Sequence, residues 1–363
     1  MRPLEEIIAR RVDPRRLKVV RTTGSTGEPF VIRRSRRDDF VFHIFRMRAM
    51  KDFGLKVSDR MARVGTHADA QSPLSWRIAQ RFGLYRQTQI DVMQSPEKID
   101  SALKELRADV VTGNSGVLAR ISRGFDGGYP GGDRPRFVVI GSELSTKTMR
   151  RAISDGFGCP VYDTYCSEEM GLIAWQCPAT GLYHVCDDGL VLEVLKPDGR
   201  PAREGERGEV IVTHLHFEAM PFIRYRLGDQ VTVGPNPCPC GAPFSTISDI
   251  LGRMTDFLHL RGGREIYANA PAMIIQEHAS WVGQYELVQE NRDRVDLRIV
   301  PLAEAGQDAV IELRERIWEL LGRDVDFRLE IVSGIVPGPG GKYRILRSKI
   351  DSPYDRRPES SFP

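Results

Sequence analysis

Short apolar runs set between stretches of helical spacing constrain this chain more than any other feature. Asp109-Val110-Val111-Thr112 and Phe137-Val138-Val139-Ile140 read as short buried strands. Between and around them lie helix signals. Phe42, Phe45, Met50 and Phe53 recur at helical spacing within Asp38 to Gly54. Pro96 to Leu106 follows Ser95, a plausible cap, and further helices are expected around Leu118–Arg123 and Lys147–Asp155. Strands alternating with helices argue for a layered α/β sheet. From about Tyr183 the pattern changes. Leu190-Val191-Leu192-Glu193-Val194 and Glu209-Val210-Ile211-Val212-Thr213 read as strands around the turn-rich Lys196-Pro197-Asp198-Gly199-Arg200, an antiparallel β section. Beyond Gly252-Arg253, strands near Val295–Val300 and Phe327–Ile331 with a helix over Asp308–Leu321 form a smaller α+β unit. The expected fold class is α/β. A large layered N-terminal domain with an antiparallel β section spans residues 1–252, and a small α+β C-terminal domain spans residues 253–363.

The chain of 363 residues can bury a large core and is expected to form two domains or more. Its net charge of +3 is small, and basic residues are interspersed with acidic ones, so no nucleic-acid stripe emerges. No apolar run is long enough to cross a bilayer, and Met1-Arg2-Pro3-Leu4-Glu5-Glu6 has no signal-peptide core, which makes the cytoplasm the expected location. Six cysteines in a chain this long do not suggest a disulfide scaffold.

A short basic amphipathic helix is expected over Pro3 to Leu17, then a strand at Lys18-Val19-Val20. That strand enters Arg21-Thr22-Thr23-Gly24-Ser25-Thr26-Gly27-Glu28-Pro29, and Phe30-Val31-Ile32 leaves it as a second strand. Glycines let backbone N–H groups approach a phosphate, and the Thr and Ser hydroxyls add donors. No Gly-Lys-Ser/Thr follows at Walker spacing. By itself such a turn is more often a plain loop, so its meaning depends on the motifs downstream.

Those motifs keep a definite order. Tyr162-Asp163-Thr164-Tyr165-Cys166-Ser167-Glu168-Glu169 is followed by Pro221-Phe222-Ile223-Arg224-Tyr225-Arg226-Leu227-Gly228-Asp229, Gly252-Arg253-Met254-Thr255-Asp256 and Gly340-Gly341-Lys342. The series resembles the adenylate-forming superfamily, which includes acyl-CoA ligases and adenylation domains. Within it the chain looks like the phenylacetate–coenzyme A ligase branch and its capsule-biosynthesis relatives. The resemblance spans about Arg21 to about Ile350.

The resemblance implies ATP-dependent attack of a carboxylate on the α-phosphorus, giving an acyl-adenylate and pyrophosphate, then acyl transfer to coenzyme A. Thr22, Thr23, Gly24, Ser25, Thr26 and Gly27 would cradle the β- and γ-phosphates, with Glu28 where the family usually has lysine. Gly141, Ser142 and Glu143 would line the adenine pocket, although a turn with a helix cap reads equally well. The family pattern Asn-x-Tyr-Gly-x-Thr-Glu aligns with Asp163, Tyr165, Cys166, Glu168 and Glu169. Tyr165 offers a flat face for adenine, and Glu169 would hold Mg²⁺, a hard cation that prefers oxygen. A one-residue shift would instead pair Ser167 with Glu168; the spacing to Gly171 and Cys177 favours Glu169. Asp229 would accept both ribose hydroxyls. Arg253 would sit near ribose and phosphates, ahead of a hinge at Met254–Asp256 about which the C-terminal domain rotates. Lys342, in the loop Pro337-Gly338-Pro339-Gly340-Gly341, would reach the α-phosphate in the closed state.

Cys177, His184, Cys238 and Cys240 form a second constellation. Cys238-Pro239-Cys240-Gly241 is knuckle-like, and Cys177 and His184 flank the turn Pro178-Ala179-Thr180-Gly181. Three thiolates and one imidazole suit a closed, structural Zn²⁺ site, with Cys186 as a competing ligand. Members of the branch carry Cys and His at these places. Small buried thiols are the plain alternative.

The chain starts close to its phosphate loop, so part of the subdomain that shapes the acyl pocket and the approach of coenzyme A is expected to be missing or rebuilt. The branch implies an aromatic acid as substrate. Pocket residues are sought in Phe137–Gly141, Tyr162–Tyr165 and Val57–Trp76, including His67. Two alternatives stand beside coenzyme A ligation: transfer of the acyl group to an amine or a carrier-protein thiol, and a non-catalytic, zinc-stabilised nucleotide-binding role. Relatives often dimerise, and nothing in the sequence decides between a monomer and a homodimer.

Overall fold

The computed structural model describes residues 7–21, 31–65, 74–91, 94, 96–123, 125, 129, 133–141, 145, 147–253, 257–267, 269–278, 280–301, 304–335 and 346–350. It is a mixed α/β fold. The phosphate loop 22–30, residues Ser142 and Glu143, the proposed hinge 254–256, His67 and Lys342 lie outside these residues.

A hairpin comes first. Strand β1 (Lys18–Arg21) pairs antiparallel with β2 (Val31–Arg34), Lys18 opposite Arg34 and Arg21 opposite Val31. The helix expected over Pro3 to Leu17 is corrected. Over its described part only Ile7 is helical, and a 3₁₀ turn covers Pro14–Arg16. Asp13 accepts from the Arg15 N–H at 3.0 Å and Pro14 brings no N–H of its own, so the segment closes a cap and turn.

Helix α1 (Arg36–Asp52) begins with a reciprocal cap. The Ser35 hydroxyl accepts from the Asp38 N–H at 3.0 Å, and the Asp38 carboxylate accepts from the Ser35 N–H at 2.9 Å. The same buried carboxylate accepts from the N–H groups of Glu218 and Ala219, so it joins α1 to a distant loop.

An eleven-stranded sheet carries the site. One half is parallel: β3 (Arg60–Gly65), β4 (Arg86–Asp91), β5 (Val110–Asn114), β6 (Phe137–Gly141) and β7 (Val161–Ser167), in spatial order β7-β6-β5-β3-β4. Its crossovers contain α2 (Leu74–Arg81), α3 (Pro96–Leu106), α4 (Ser115–Arg123) and α5 (Lys147–Phe157). Val110, Val111, Val138 and Ile140 are almost wholly buried, as strands covered on both faces must be. The other half is antiparallel: β8 (Gly171–Gln176), β9 (Tyr183–Val185), β10 (Leu190–Leu195), β11 (Arg207–His214), β12 (Tyr225–Val233) and β13 (Thr246–Arg253), joined through β8 to β7 in the order β10-β11-β12-β13-β9-β8-β7. The antiparallel section is thus continuous with the parallel sheet. The change of direction falls at β7, the strand that carries the central motif.

Trp175 is fully buried, and its indole N–H donates to Asp52 at the end of α1 at 2.8 Å. After β13 come a small pair, β14 (Phe257–His259) with β15 (Glu265–Tyr267), and a four-stranded sheet of β16 (Val282–Gln289), β17 (Arg294–Pro301), β18 (Asp326–Ile331) and β19 (Leu346–Ser348) in the order β18-β17-β16-β19. Helices α6 (Asn269–Glu277) and α7 (Gln307–Leu321) accompany them. Leu313, Ile317 and Leu321 of α7 share a core with Leu287 and Leu297 that is separate from the cores of the large sheet.

Candidate active site

Three motif positions far apart in sequence meet at one end of the large sheet. Tyr165, near the carboxyl end of β7, donates its hydroxyl to an Asp229 carboxylate oxygen at 2.6 Å. Asp229 stands opposite Arg253 in the β12–β13 register, and Gln230 opposite Gly252. Gly228 precedes Asp229 with φ of 78°, a left-handed conformation that favours glycine, and so sets the strand's approach to the site.

The turn after β7 holds the two glutamates. The Met170 N–H donates to the Ser167 hydroxyl at 3.0 Å and closes the turn, and Gly171 leaves it with φ of 71°. A Cβ at Gly171 would lie 2.9 Å from the Phe42 ring, so glycine lets the turn seat against α1. Glu168 is paired: its carboxylate lies 3.1 Å from the Arg34 guanidinium, which also donates to its backbone carbonyl. Glu169 is half-buried and, unlike Glu168, is not hydrogen-bonded to Arg34, although the Arg34 guanidinium acts on both carboxylates electrostatically.

Asp163 has an internal set of partners. It is buried and accepts from Ser145 at 2.9 Å, Arg150 at 2.6 Å and Tyr183 at 3.0 Å. Burial pushes its carboxyl above the usual range, against the pull of Arg150. Ser145 lies four residues past Gly141, the end of β6, so Asp163 on β7 holds the start of the segment that leads into α5. Gly141 itself is dictated by packing. A Cβ there would meet the Thr164 hydroxyl at 2.6 Å, and that hydroxyl donates to the Ile140 carbonyl at 3.0 Å. Ser145, Arg150 and Tyr183 were not singled out from the sequence. Their only signal was the replacement of the family's amide by Asp163, a carboxylate that burial obliges to find donors.

The Cys/His cluster forms as the sequence suggests. One ligand atom from each of Cys177, His184, Cys238 and Cys240 lies within 4.8 Å of all the others. Cys240 Sγ is 3.3 Å from His184 Nε2. Burial keeps the His184 imidazole below its ordinary pKa, in the neutral form a metal ligand requires. The Gly181 N–H donates to the Cys177 carbonyl at 2.9 Å and the Gly241 N–H to the Cys238 carbonyl at 3.0 Å, so the thiols are carried on closed turns. The donor set and its closeness fit tetrahedral Zn²⁺ with no open position. Cys186 stands outside the cluster. Its buried thiol, raised to about 12 by desolvation, lies 3.7 Å from Asp188. Cys159 is buried and Cys166 half-buried, and neither belongs to the cluster.

No family model matches the chain. It is 25% identical over 366 residues to the phenylacetate-coenzyme A ligase of Thermus thermophilus, covering 90% of this chain and 79% of that protein. It is 26% identical over 373 residues to the phenylacetate-coenzyme A ligase of Escherichia coli (strain K12), covering 94% and 78%. Its fold is similar to the crystal structure of 2-hydroxyisobutyryl-CoA ligase in the postadenylation state, with a TM-score of 0.73, 20% identity and coverage of 93% of this chain and 74% of that one. These likenesses support the resemblance to the adenylate-forming superfamily that the order of the motifs carries. Both of these relatives are phenylacetate–coenzyme A ligases, the branch that its motifs resemble. No helix among the described residues is long and apolar enough to cross a membrane.

Proposed function

We propose that this protein is an AMP-forming acid–thiol ligase. A carboxylate oxygen attacks the α-phosphorus of ATP, the bond to the β-phosphate oxygen breaks, and acyl-adenylate and pyrophosphate result. The thiol of coenzyme A then attacks the acyl carbon, and AMP leaves as the thioester forms. The observation that carries this reading is the meeting of Tyr165, Asp229 and Arg253, placed by a 2.6 Å hydrogen bond and by strand register.

In this reading Tyr165 presents its ring to adenine while its hydroxyl fixes the Asp229 carboxylate for the ribose hydroxyls. Thr22, Thr23, Gly24, Ser25, Thr26 and Gly27 bind the β- and γ-phosphates, Gly141, Ser142 and Glu143 border the base, and Asp163 holds Ser145 close by in sequence. Mg²⁺ bound at Glu169 supplies charge neutralisation on the phosphates. Arg253 and Lys342 add cationic donors where negative charge develops. Zn²⁺ on Cys177, His184, Cys238 and Cys240 ties the β8–β9 hairpin to the segment before β13. The chain divides at 252/253, a reading supported by the separate core of α7 and its sheet. The substrate is an aromatic acid, as the phenylacetate ligases that the chain resembles suggest.

ATP–pyrophosphate exchange against a panel of aryl, arylacetic and small aliphatic acids, with Mg²⁺ and without coenzyme A, tests the reading. Exchange dependent on an aromatic acid supports it. Folded protein that binds ATP and exchanges with no acid sinks the enzymatic reading and leaves a nucleotide-binding role.

A further inference from the structure

Arg34 is 4% exposed at its side chain, in a strand that leaves the phosphate loop. Its guanidinium lies 3.8 Å from the centroid of the Phe42 ring, 3.1 Å from the Glu168 carboxylate and 3.9 Å from Asp39, and it donates to the Glu168 backbone carbonyl. Burying a guanidinium carries a large desolvation cost, and such ion pairs often add little net stability. A hydrophobic residue here would pack against Phe42 at no such cost. What the arginine adds is position. It grips both the main chain and the side chain of the residue immediately before Glu169.

Two carboxylates side by side in one turn would compete for a cation and repel the phosphates it neutralises. Arg34 removes one of them from that competition. We infer that Arg34 is a positioning residue: it draws Glu168 aside so that Glu169 alone faces the nucleotide's divalent cation, and it couples the strand leaving the phosphate loop to the carboxylate turn. Its partner Glu168 stands where the superfamily pattern has a neutral hydroxyl, so the extra charge and its counter-charge enter the site together. This inference rests on the proposed nucleotide site.

The test is a double-mutant cycle on Arg34→Met, Glu168→Gln and the pair, read by calorimetric binding of ATP across a range of Mg²⁺ and by pyrophosphate exchange with an acid found active. Arg34→Met should weaken Mg²⁺-dependent ATP binding about tenfold, and adding Glu168→Gln should recover most of that loss. Arg34→Lys keeps the charge without the planar fork or the ring contact and should fall between wild type and Arg34→Met, which also serves if Arg34→Met folds poorly. Non-recovery in the double variant, with Arg34→Met folded by thermal melting, overturns the inference, because a merely structural arginine is not rescued by neutralising its partner. Loss of Mg²⁺ dependence in Glu168→Gln but not in Glu169→Gln also overturns it. Coupling in ATP binding without exchange for any acid retains the inference while the ligase reading fails. Absence of ATP binding by the wild-type chain defeats both.

Discussion

Tyr165 and Asp229 are 64 residues apart in sequence and are joined by a 2.6 Å hydrogen bond from phenol to carboxylate. The contact links two of the sequence motifs through their side chains. Tyr165→Phe keeps the ring and deletes the donor. It should cost about 1 kcal/mol of nucleotide binding, a rise of roughly fivefold in KM for ATP, with kcat little changed. Asp229→Ala should raise KM by at least about tenfold. Steady-state kinetics with ATP varied checks both.

Lys342→Ala should lower acid-dependent exchange by about 10²–10³ while leaving the Kd for ATP within about threefold. An unchanged exchange rate removes the lysine from the adenylation step.

Purified protein should contain one zinc per chain by elemental analysis, and Cys238→Ser or Cys177→Ser should reduce that to well below one. Chelation should lower Tm by about 5 °C, equivalent to roughly 2 kcal/mol in a domain of this size. Metal-free protein with an unaltered melt removes the structural role.

Acid should destabilise the fold partly through His214. This imidazole is buried, accepts from the N–H groups of His216 and Phe217 at 3.1 and 3.2 Å, and is held down to about 4, chiefly by desolvation and then by His216. The folded pKa lies below the ordinary 6.5, so protons favour the unfolded chain. The stability is fully present above pH 6.5 and is lost as pH falls toward about 4, at most about 3 kcal/mol. His43, also held at about 4 by burial, acts with the same sign. His214→Asn retains an acceptor without the titration, so its urea midpoint should fall less steeply than that of wild type as pH drops from 6.5 toward about 4.

The core elements were legible because their periodicity is strong. The helix over Pro96–Leu106 coincides with expectation, and strands at Val110–Asn114 and Phe137–Gly141 extend the expected ones by a residue or two. The segment before Leu17 misled because Arg and Leu suit a helix whereas Pro14 and Asp13 close a turn. At the site, the motif order pointed to Tyr165, Asp229 and Arg253 and ligand chemistry to Cys177, His184, Cys238 and Cys240; the structure brings each group together, and their roles are proposals. Arg34 was not, because it stands in a basic run with Arg33, Arg36 and Arg37 and nothing in sequence tells the buried member from the solvated ones. The same holds for Arg150 and Tyr183, which become partners of Asp163 only once β7 and α5 are packed.

Strand β13 ends at Arg253, directly opposite Asp229, and the chain passes from there into the second unit. The ladder that carries Asp229, the carboxylate proposed to hold the ribose, is therefore also where the C-terminal portion is attached. On the proposed reading, in which Asp229 holds the ribose and the C-terminal portion rotates, bound nucleotide would stiffen the point of attachment and its departure would loosen it.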